Sequence, residues 1–273
     1  MTIRSLNTAV SDPIVRVRDL VVHYGARRIL DTVSLDIRRG EVMVVMGGSG
    51  SGKSTFLRCL LGLKRPSAGS VSIFGESIHQ ASNKALLALR RQMGVAFQGG
   101  ALLSSLSVGE NVSLPLRQHT RLDDTTMRIM TRIKLELVNL AGFEELMPSE
   151  LSGGMIKRAA FARAVIMDPK LLFFDEPSAG LDPVTSAELD ELILRLRDAM
   201  NTTIVVVTHE LESAFKIADR ISILGGGKVL MTGTVDEVQN SDDRAIQDLL
   251  NRRPRSEPMD AGAYLNRLTG TSK

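Results

Sequence analysis

Cysteine and tryptophan are almost absent from this chain of 273 residues, which has one cysteine and no tryptophan. The single thiol, Cys59, cannot form an intrachain disulfide or supply several thiolate ligands, so disulfide scaffolds and cysteine-rich zinc sites are excluded. This usage fits a reducing compartment, and we expect Cys59 to pack as a small apolar residue.

An excess of one charge and long apolar runs are also lacking. The 34 Lys and Arg and the 31 Asp and Glu leave a net charge of +3, which is too small to indicate a nucleic-acid partner. The longest apolar stretches, such as 42–46 and 204–207, are far shorter than the ~18 residues that span a bilayer. Residues 1–20 have no apolar run of the kind found in secretion signals. We therefore expect a membrane role only through a partner.

Short runs rich in Val and Ile alternate with Gly-rich turns and amphipathic segments, a pattern typical of an α/β fold with a largely parallel sheet. The early strands are instead expected to form an antiparallel β subdomain. Between about 101 and 167 the strand signals stop, which predicts an inserted helical subdomain. Strands are predicted at 15–22, 41–46, 69–74, 94–97, 171–175, 203–208, 220–224 and 228–232. Helices are predicted after Gly52 and at 127–140, 155–165 and 188–200.

The run GGSGSGKS at 47–54 fits G-x-x-x-x-G-K-[ST] and lies between a predicted strand and a predicted helix, as in a P-loop. In such a loop, backbone N–H groups and the helix N-terminus surround phosphate oxygens. Lys53 is expected to reach the β- and γ-phosphates, and the Ser54 hydroxyl to ligate Mg²⁺. The alternative, a Gly-rich turn that binds nothing, is disfavoured by the strand and helix on either side. The predicted phosphate-binding residues are Gly47, Gly48, Ser49, Gly50, Ser51, Gly52, Lys53, Ser54 and Thr55.

A second apolar strand leads directly into Asp175 and Glu176, which is the form of a Walker B strand with an added carboxylate. Asp175 is expected to hold the Mg²⁺ shell, and Glu176 to orient or deprotonate the water that attacks the γ-phosphate. Taken alone, the pair would be better explained as two solvated carboxylates at a strand end, because Asp-Glu dipeptides are common. The P-loop makes the catalytic interpretation the better one.

The turn Leu151-Ser152-Gly153-Gly154 precedes a predicted helix and forms a second candidate anion site. The Ser152 hydroxyl can donate to a phosphate oxygen, while Gly153 and Gly154 permit close backbone approach at the helix N-terminus. The plain alternative for this turn is a helix cap.

The P-loop, Gln98, the 151–154 turn, the Asp175-Glu176 pair, the 178–182 segment and His209 together resemble the nucleotide-binding subunit of ABC transporters, over about 14–239. The resemblance implies an ATPase that works as a head-to-tail dimer, with each ATP between the P-loop of one copy and residues 152–154 of the other. It also implies that Tyr24 stacks on adenine, that Gln98 senses Mg²⁺ and the attacking water and signals to the membrane partner, that Asp182 lies in a dimer-contact loop, and that His209 contacts the γ-phosphate. Taken alone, Tyr24 would be better explained by ordinary packing, and His209 as a hydrogen-bonded histidine at a strand end.

Met155 stands where most of that family has Gln, and this departure is similar to a smaller branch, the Mla-type ATPases of lipid transporters that work with MCE proteins. Segments at 97–102, 110–112, 115–120, 147–150 and 263–265 match the same branch, although Gly99 replaces its usual Ser. The branch implies a lipid cargo, integral membrane permease subunits, an MCE-type substrate-binding protein and an accessory cytoplasmic subunit. It also implies a position on the cytoplasmic face of the inner membrane, attached through the permease.

Two other functions remain open from the sequence. One is the same ATPase chemistry applied to another cargo, as in an importer or a lipoprotein exporter. The other is a soluble ABC protein that acts on ribosomes or DNA, which is disfavoured because the chain has one P-loop, no long heptad stretch and scattered basic residues.

Residues 240–273 lie beyond the resemblance and form a predicted C-terminal extension. Ile246, Leu249 and Leu250 recur at helical spacing, and a proline-containing linker at 252–258 leads to a second apolar cluster at Tyr264, Leu265 and Leu268. The extension is interpreted as a docking arm for the second ATPase subunit or an accessory partner. The plain alternative is a frayed C-terminus.

Overall fold

The computed structural model describes residues 12–251, and the larger of its two sheets has six strands in the order β10-β9-β3-β8-β7-β6. All neighbouring pairs are parallel except β9 with β10. Every residue of β3 and of β8 is buried, as expected for a parallel sheet with both faces covered. The strands are β3 (Val42–Met46), β6 (Met93–Ala96), β7 (Leu171–Asp175), β8 (Thr203–Thr208), β9 (Arg220–Gly225) and β10 (Lys228–Gly233).

The smaller sheet is antiparallel, with β1 (Val15–Tyr24), β2 (Arg27–Ile37), β4 (Ala68–Ile73) and β5 (Glu76–Ser77) in the order β2-β1-β4-β5. Sequence reasoning missed β2. Its pairing with β1 shifts register three times, and these irregularities interrupt the alternation of apolar and polar residues by which a strand is recognised.

The helices confirm the predicted α/β architecture with a helical insertion. Between β6 and β7 the described chain has no strand and contains α3 (Val108–His119), α4 (Asp124–Leu137) and α5 (Gly153–Val165). Sequence reasoning missed α3 because Pro115 lies inside it, although Ser107 and Glu110 form a capping box at its start. The remaining helices are α1 (Lys53–Leu60), α2 (Asn83–Arg90), α6 (Pro183–Met200), α7 (Leu211–Ile217), α8 (Val235–Gln239) and α9 (Arg244–Leu250).

Two apolar cores lie on opposite faces of the six-stranded sheet. One packs that sheet against the antiparallel sheet and α1, and the other packs it against the remaining long helices. In the second core the rings of Phe161 on α5 and Phe174 on β7 have centroids 4.2 Å apart, within the range of favourable aromatic pairs. This contact ties α5 to the strand that ends in Asp175.

Helix α9, the first part of the C-terminal extension, packs on the body of the protein. Ile246 is 1% exposed and belongs to the main core, with Leu249 and Leu250 packed beside it. Ile246 is therefore buried in its own subunit and cannot serve as a docking anchor, while Leu249 and Leu250 are half-buried. The compact body continues past 239 to the end of α9. The linker at 252–258 and the cluster of Tyr264, Leu265 and Leu268 lie outside the described residues.

Replacing Ile246 by Ala should lower the free energy of unfolding by about 2–4 kcal/mol, because it removes buried methylenes and leaves a cavity under α9. Urea denaturation followed by circular dichroism measures the loss. Arg244→Ala is the matched control on the same helix, since the Arg244 side chain is 94% exposed. Equal stability of the two variants would show that α9 is not part of the core.

Candidate functional site

A cleft of about 1170 Å³ opens at the carboxyl ends of β3, β8 and β7. These strands are neighbours in one parallel sheet, so residues far apart in sequence meet at the same edge. The structure brings most of the sequence-predicted site residues to this cleft. Those that line it are Gly47, Gly48, Ser49, Gly50, Lys53, Ser54, Gln98, Glu176 and His209.

Close packing around the P-loop explains two of its glycines. A Cβ on Gly47 would lie 2.3 Å from the carbonyl oxygen of Leu224, and a Cβ on Gly52 would lie 2.5 Å from the Leu30 side chain. Gly52 also has φ 106° and forms the N-cap of α1, a conformation that residues with a Cβ rarely adopt. Neither position accepts a side chain without moving its neighbours.

Lys53 lies at the first turn of α1 and is largely buried beneath the loop. Its Nζ donates to the carbonyl oxygens of Gly47 at 2.6 Å and Gly48 at 3.3 Å. Burial lowers the pKa of Lys53, and the nearby carboxylates Glu176 and Asp175 act in the opposite direction. The Lys53 ammonium therefore lies against the P-loop backbone and near the carboxylates of Glu176 and Asp175.

The loop also contains an unsatisfied hydroxyl. Ser51 Oγ is buried and has no hydrogen-bond partner among the described residues, which is uncommon because buried polar atoms are normally paired. A phosphate oxygen in the loop would supply the missing acceptor. Ser51 and Gly52 lie behind the cleft surface, and Thr55 is half-buried on α1.

Asp175, at the end of β7, has an environment that favours a cation. Its pKa is raised, first by burial and then by the charge of Glu176, and the charge of Lys53 opposes the rise. Asp175 does not line the cleft but lies directly before Glu176, which does, as do Ser54 and Gln98. The Asp175 carboxylate, the Ser54 hydroxyl and the Gln98 amide oxygen are hard oxygen donors of the type that Mg²⁺ prefers. These residues fit a magnesium ion.

Glu176 and His209 form a hydrogen-bonded pair at the cleft. The carboxylate oxygen Oε2 of Glu176 accepts from His209 Nδ1 at 2.8 Å and from the Thr208 hydroxyl at 3.3 Å. The backbone of Glu176 has φ 48°, and its N–H donates to the Val207 carbonyl at 2.8 Å. Its side chain is 12% exposed, so the carboxylate is held in place while still reaching the cleft.

The 152–154 turn does not line this cleft. Ser152 caps α5 by accepting from the Met155 N–H at 3.3 Å, so the plain role of a helix cap is real. Ser152 and Gly153 are exposed, whereas Gly154 is buried, and a Cβ on Gly154 would lie 2.8 Å from the Thr185 side chain. Asp182, at the start of α6, is likewise occupied as an N-cap, accepting from the backbone N–H groups of Val184 and Thr185 at 3.0 Å.

Tyr24 lies outside the cleft lining, at the end of β1. The Lys64 ammonium lies 4.4 Å from the centroid of its ring, and the residue is 42% exposed. The ring makes a cation–π contact and is accessible to solvent. Stacking on adenine stays a prediction.

Sequence reasoning missed several residues at the site. Glu210, next to His209, accepts from the Ser178 hydroxyl at 2.7 Å and so joins the cleft to the 178–182 loop. Leu230 and Leu249 add apolar lining. Lys157 contacts two of the predicted site residues through their backbones. Only Lys157 carried a signal, since it is a lysine in a helix otherwise rich in alanine.

The described part of the chain has no helix that combines the length and apolar character needed to cross a bilayer.

Comparison with known proteins agrees with this geometry. The family model described as "ABC transporter" matches residues 30–179. The chain is 40% identical to the intermembrane phospholipid transport system ATP-binding protein MlaF of Haemophilus influenzae, over 87% of this chain and 90% of that protein. It is 41% identical to the probable ribonucleotide transport ATP-binding protein mkl of Mycobacterium leprae, over 88% of this chain and 69% of that protein.

Two solved structures have the same fold. A dimeric ATP-binding cassette in a post-hydrolysis state with ADP and Pi has a TM-score of 0.75 and 31% identity, covering 81% of this chain and 98% of that one. The cbiO1 protein of Clostridium perfringens, part of the ABC transporter complex cbiONQ, has a TM-score of 0.77 and 28% identity, covering 95% of this chain and 100% of that one. The chain belongs to the ABC transporter family, in which it is an ATP-binding, ATP-hydrolysing subunit.

Proposed function

We propose that this ATPase powers a transporter that moves phospholipid between membranes with an MCE-type substrate-binding protein. The observation that carries the proposal is the 40% identity to MlaF along nearly the whole of both chains. It is supported by Lys53, Gln98, Glu176 and His209, which line one cleft. Met155, the sequence feature that first indicated the lipid branch, directly follows the 152–154 turn.

The cleft supports ATP hydrolysis by the following division of labour. The P-loop amides and the Lys53 ammonium bind the β- and γ-phosphates. Ser54, Gln98 and Asp175 would hold Mg²⁺, which would neutralise phosphate charge. Glu176 accepts the proton of the attacking water. His209, which donates to Glu176 through Nδ1, orients the base and lies beside the γ-phosphate.

The second copy of the chain completes each site. Ser152 and Gly153 are exposed at the N-terminus of α5 and are absent from the cleft that contains Lys53. Their free N–H groups can therefore contact phosphate held by another subunit. The dimeric state of a cassette with the same fold supports this arrangement. Tyr24 and Asp182 are assigned to the adenine and to the dimer contact, respectively.

The remaining partners follow from the lipid assignment. The subunit binds integral permease subunits on the cytoplasmic face of the inner membrane, as a peripheral protein, and an accessory cytoplasmic subunit joins the complex. Residues beyond 251, including Tyr264 and Leu265, are assigned to docking on the second ATPase subunit or on the accessory subunit. The cbiO1 protein is part of an ABC transporter complex, which supports this placement.

The cargo assignment is tested by purifying the tagged full-length chain from native membranes in mild detergent and identifying its partners and bound lipid by mass spectrometry. We expect a permease, an MCE protein and phospholipid. A permease accompanied by a soluble solute-binding protein, with no phospholipid above the level of a mock purification, would favour another cargo, such as the ribonucleotide named for the mkl relative.

Glu176→Gln should preserve ATP binding and slow hydrolysis by about 10²–10⁴-fold, because the amide cannot accept the proton of the attacking water. The ATP-bound dimer should then accumulate and be visible by size-exclusion chromatography. Lys53→Ala is the contrasting variant. It removes the positive charge that faces the phosphates and should abolish nucleotide-dependent dimer formation. Hydrolysis by Glu176→Gln at the native rate would show that another group is the base.

A mixed dimer tests completion of the sites by the second copy. In the Glu176→Gln background, one subunit carries Lys53→Ala and the other carries Ser152→Arg, which puts bulk and charge into the turn. If the sites are shared, both lesions fall in one site and the other stays intact, so one ATP should be trapped per dimer. The control pairs a doubly substituted subunit with an unsubstituted one, which damages both shared sites. The reverse pattern would mean that each subunit forms its own complete site.

A further inference from the structure

Helix α5 holds a buried ammonium group that the hydrolytic mechanism does not use. Lys157 is 7% exposed, and its Nζ donates to the carbonyl oxygen of Gln98 and, at 3.1 Å, to the carbonyl oxygen of Glu176. These two carbonyls belong to segments that are far apart in the sequence. One lysine thus joins the backbones of a proposed metal ligand and of the proposed base.

The segment 98–101 is attached to the same helix at further points. Arg163 donates to the carbonyl oxygens of Gly100 at 2.7 Å and Ala101 at 2.8 Å. A Cβ on Gly100 would lie 2.6 Å from the Ile156 side chain, so the segment lies directly against α5. Movement of α5 must therefore carry Gln98 with it.

Burying a lysine in this position opposes stability unless its hydrogen bonds are made. Desolvation lowers the pKa of Lys157, and the charges of Asp175, Glu176 and Glu210 act against that change. An apolar side chain would avoid this cost, but it would leave the carbonyl of Gln98 without its donor. The carbonyl of Glu176 would keep only the Ala179 N–H, at 3.3 Å. We therefore expect that the position of these two carbonyls depends on a hydrogen-bond donor at residue 157.

Lys157 is also rigidly related to the 152–154 turn. It lies five residues after Ser152 on the same helix, about 7.5 Å along its axis at 1.5 Å per residue. The Phe161 and Phe174 contact holds the middle of α5 on β7. A shift or rotation of the turn is consequently transmitted to Lys157 through a single helix.

We propose that Lys157 is a positioning residue that fixes the positions of Gln98 and Glu176 relative to the 152–154 turn of the same subunit. The inference rests on the proposed function of those residues. Because the turn would contact the partner's ATP while Gln98 and Glu176 act on the subunit's own ATP, Lys157 links the two ATP sites of the dimer. Loss of its donor should impair the chemical step more than nucleotide binding.

The test compares Lys157→Met, which keeps the length of the side chain without a donor, with Lys157→Gln, whose amide retains two N–H donors. Steady-state ATP hydrolysis of the full-length chain is measured for both, with the fluorescence-detected affinity for ATP and the melting temperature. Lys134→Met is the matched control, a lysine of the helical lobe whose partner is Asp168, away from the cleft.

Lys157→Met should lower kcat at least about tenfold while KM and the ATP affinity stay within about threefold of the native values. Its Hill coefficient for ATP should fall towards one. Lys157→Gln should recover most of kcat, and Lys134→Met should behave as the native protein. This split separates positioning from simple unfolding, which would lower kcat and the amount of ATP-binding protein together.

Native kcat in Lys157→Met would overturn the proposal, as would a loss of kcat that Lys157→Gln does not recover although it melts at the native temperature. Parallel loss of kcat and ATP affinity would also overturn it. Glu176→Gln is assayed beside these variants. If it retains native hydrolysis, the proposed function of the site fails first. If it is inactive while Lys157→Met is native, only the positioning inference fails.

Discussion

The parallel pairing of β3, β8 and β7 is the constraint on which the site depends. Their order in the sheet places the P-loop after β3, His209 after β8 and the Asp175-Glu176 pair at the end of β7 along one edge. β3 and β8 are buried along their length and β7 is buried up to Asp175, so the register that aligns these ends is fixed by the core. The relative positions of the site residues are therefore set by the strand register. The two apolar cores on either face are what make the edge rigid enough to hold a carboxylate and a histidine at 2.8 Å.

Charged side chains that bind backbone carbonyls connect this edge to the helical lobe. Lys53 binds the carbonyls of the P-loop, and Lys157 binds those of Gln98 and Glu176. A carbonyl partner leaves the carboxylates free for a metal ion or a proton, whereas direct ion pairs with the lysines would occupy them. The same principle places Arg163 on the 100–101 backbone. Lys157 and Arg163 therefore join the helical lobe to the edge of the sheet by hydrogen bonds to backbone carbonyls. These bonds leave the carboxylates of Asp175 and Glu176 unpaired with either side chain.

The sequence was sufficient for the features that local patterns encode. The P-loop glycines, the apolar strand before Asp175 and the Ser152 turn are short and ordered, and the structure places the first two at the cleft. Contacts between residues far apart in the chain could not be predicted from the sequence. The α3 segment contains Pro115, β2 is interrupted by register shifts, and the apolar residues of α9 look like a free anchor until the core that receives Ile246 is known. Lys157 was missed for the same reason, since its partners lie 59 and 19 residues away. The predicted adenine contact of Tyr24 and the proposed composite site involve a nucleotide and a second copy of the chain, so one chain alone does not test them.

The most direct test of the central claim is a structure of the full-length Glu176→Gln protein with ATP and Mg²⁺. We expect two nucleotides at the interface of two copies, each with its phosphates against Lys53 of one copy and Ser152 of the other. A nucleotide bound by Lys53 and Ser152 of the same copy, or phosphates placed away from Lys53, would contradict it.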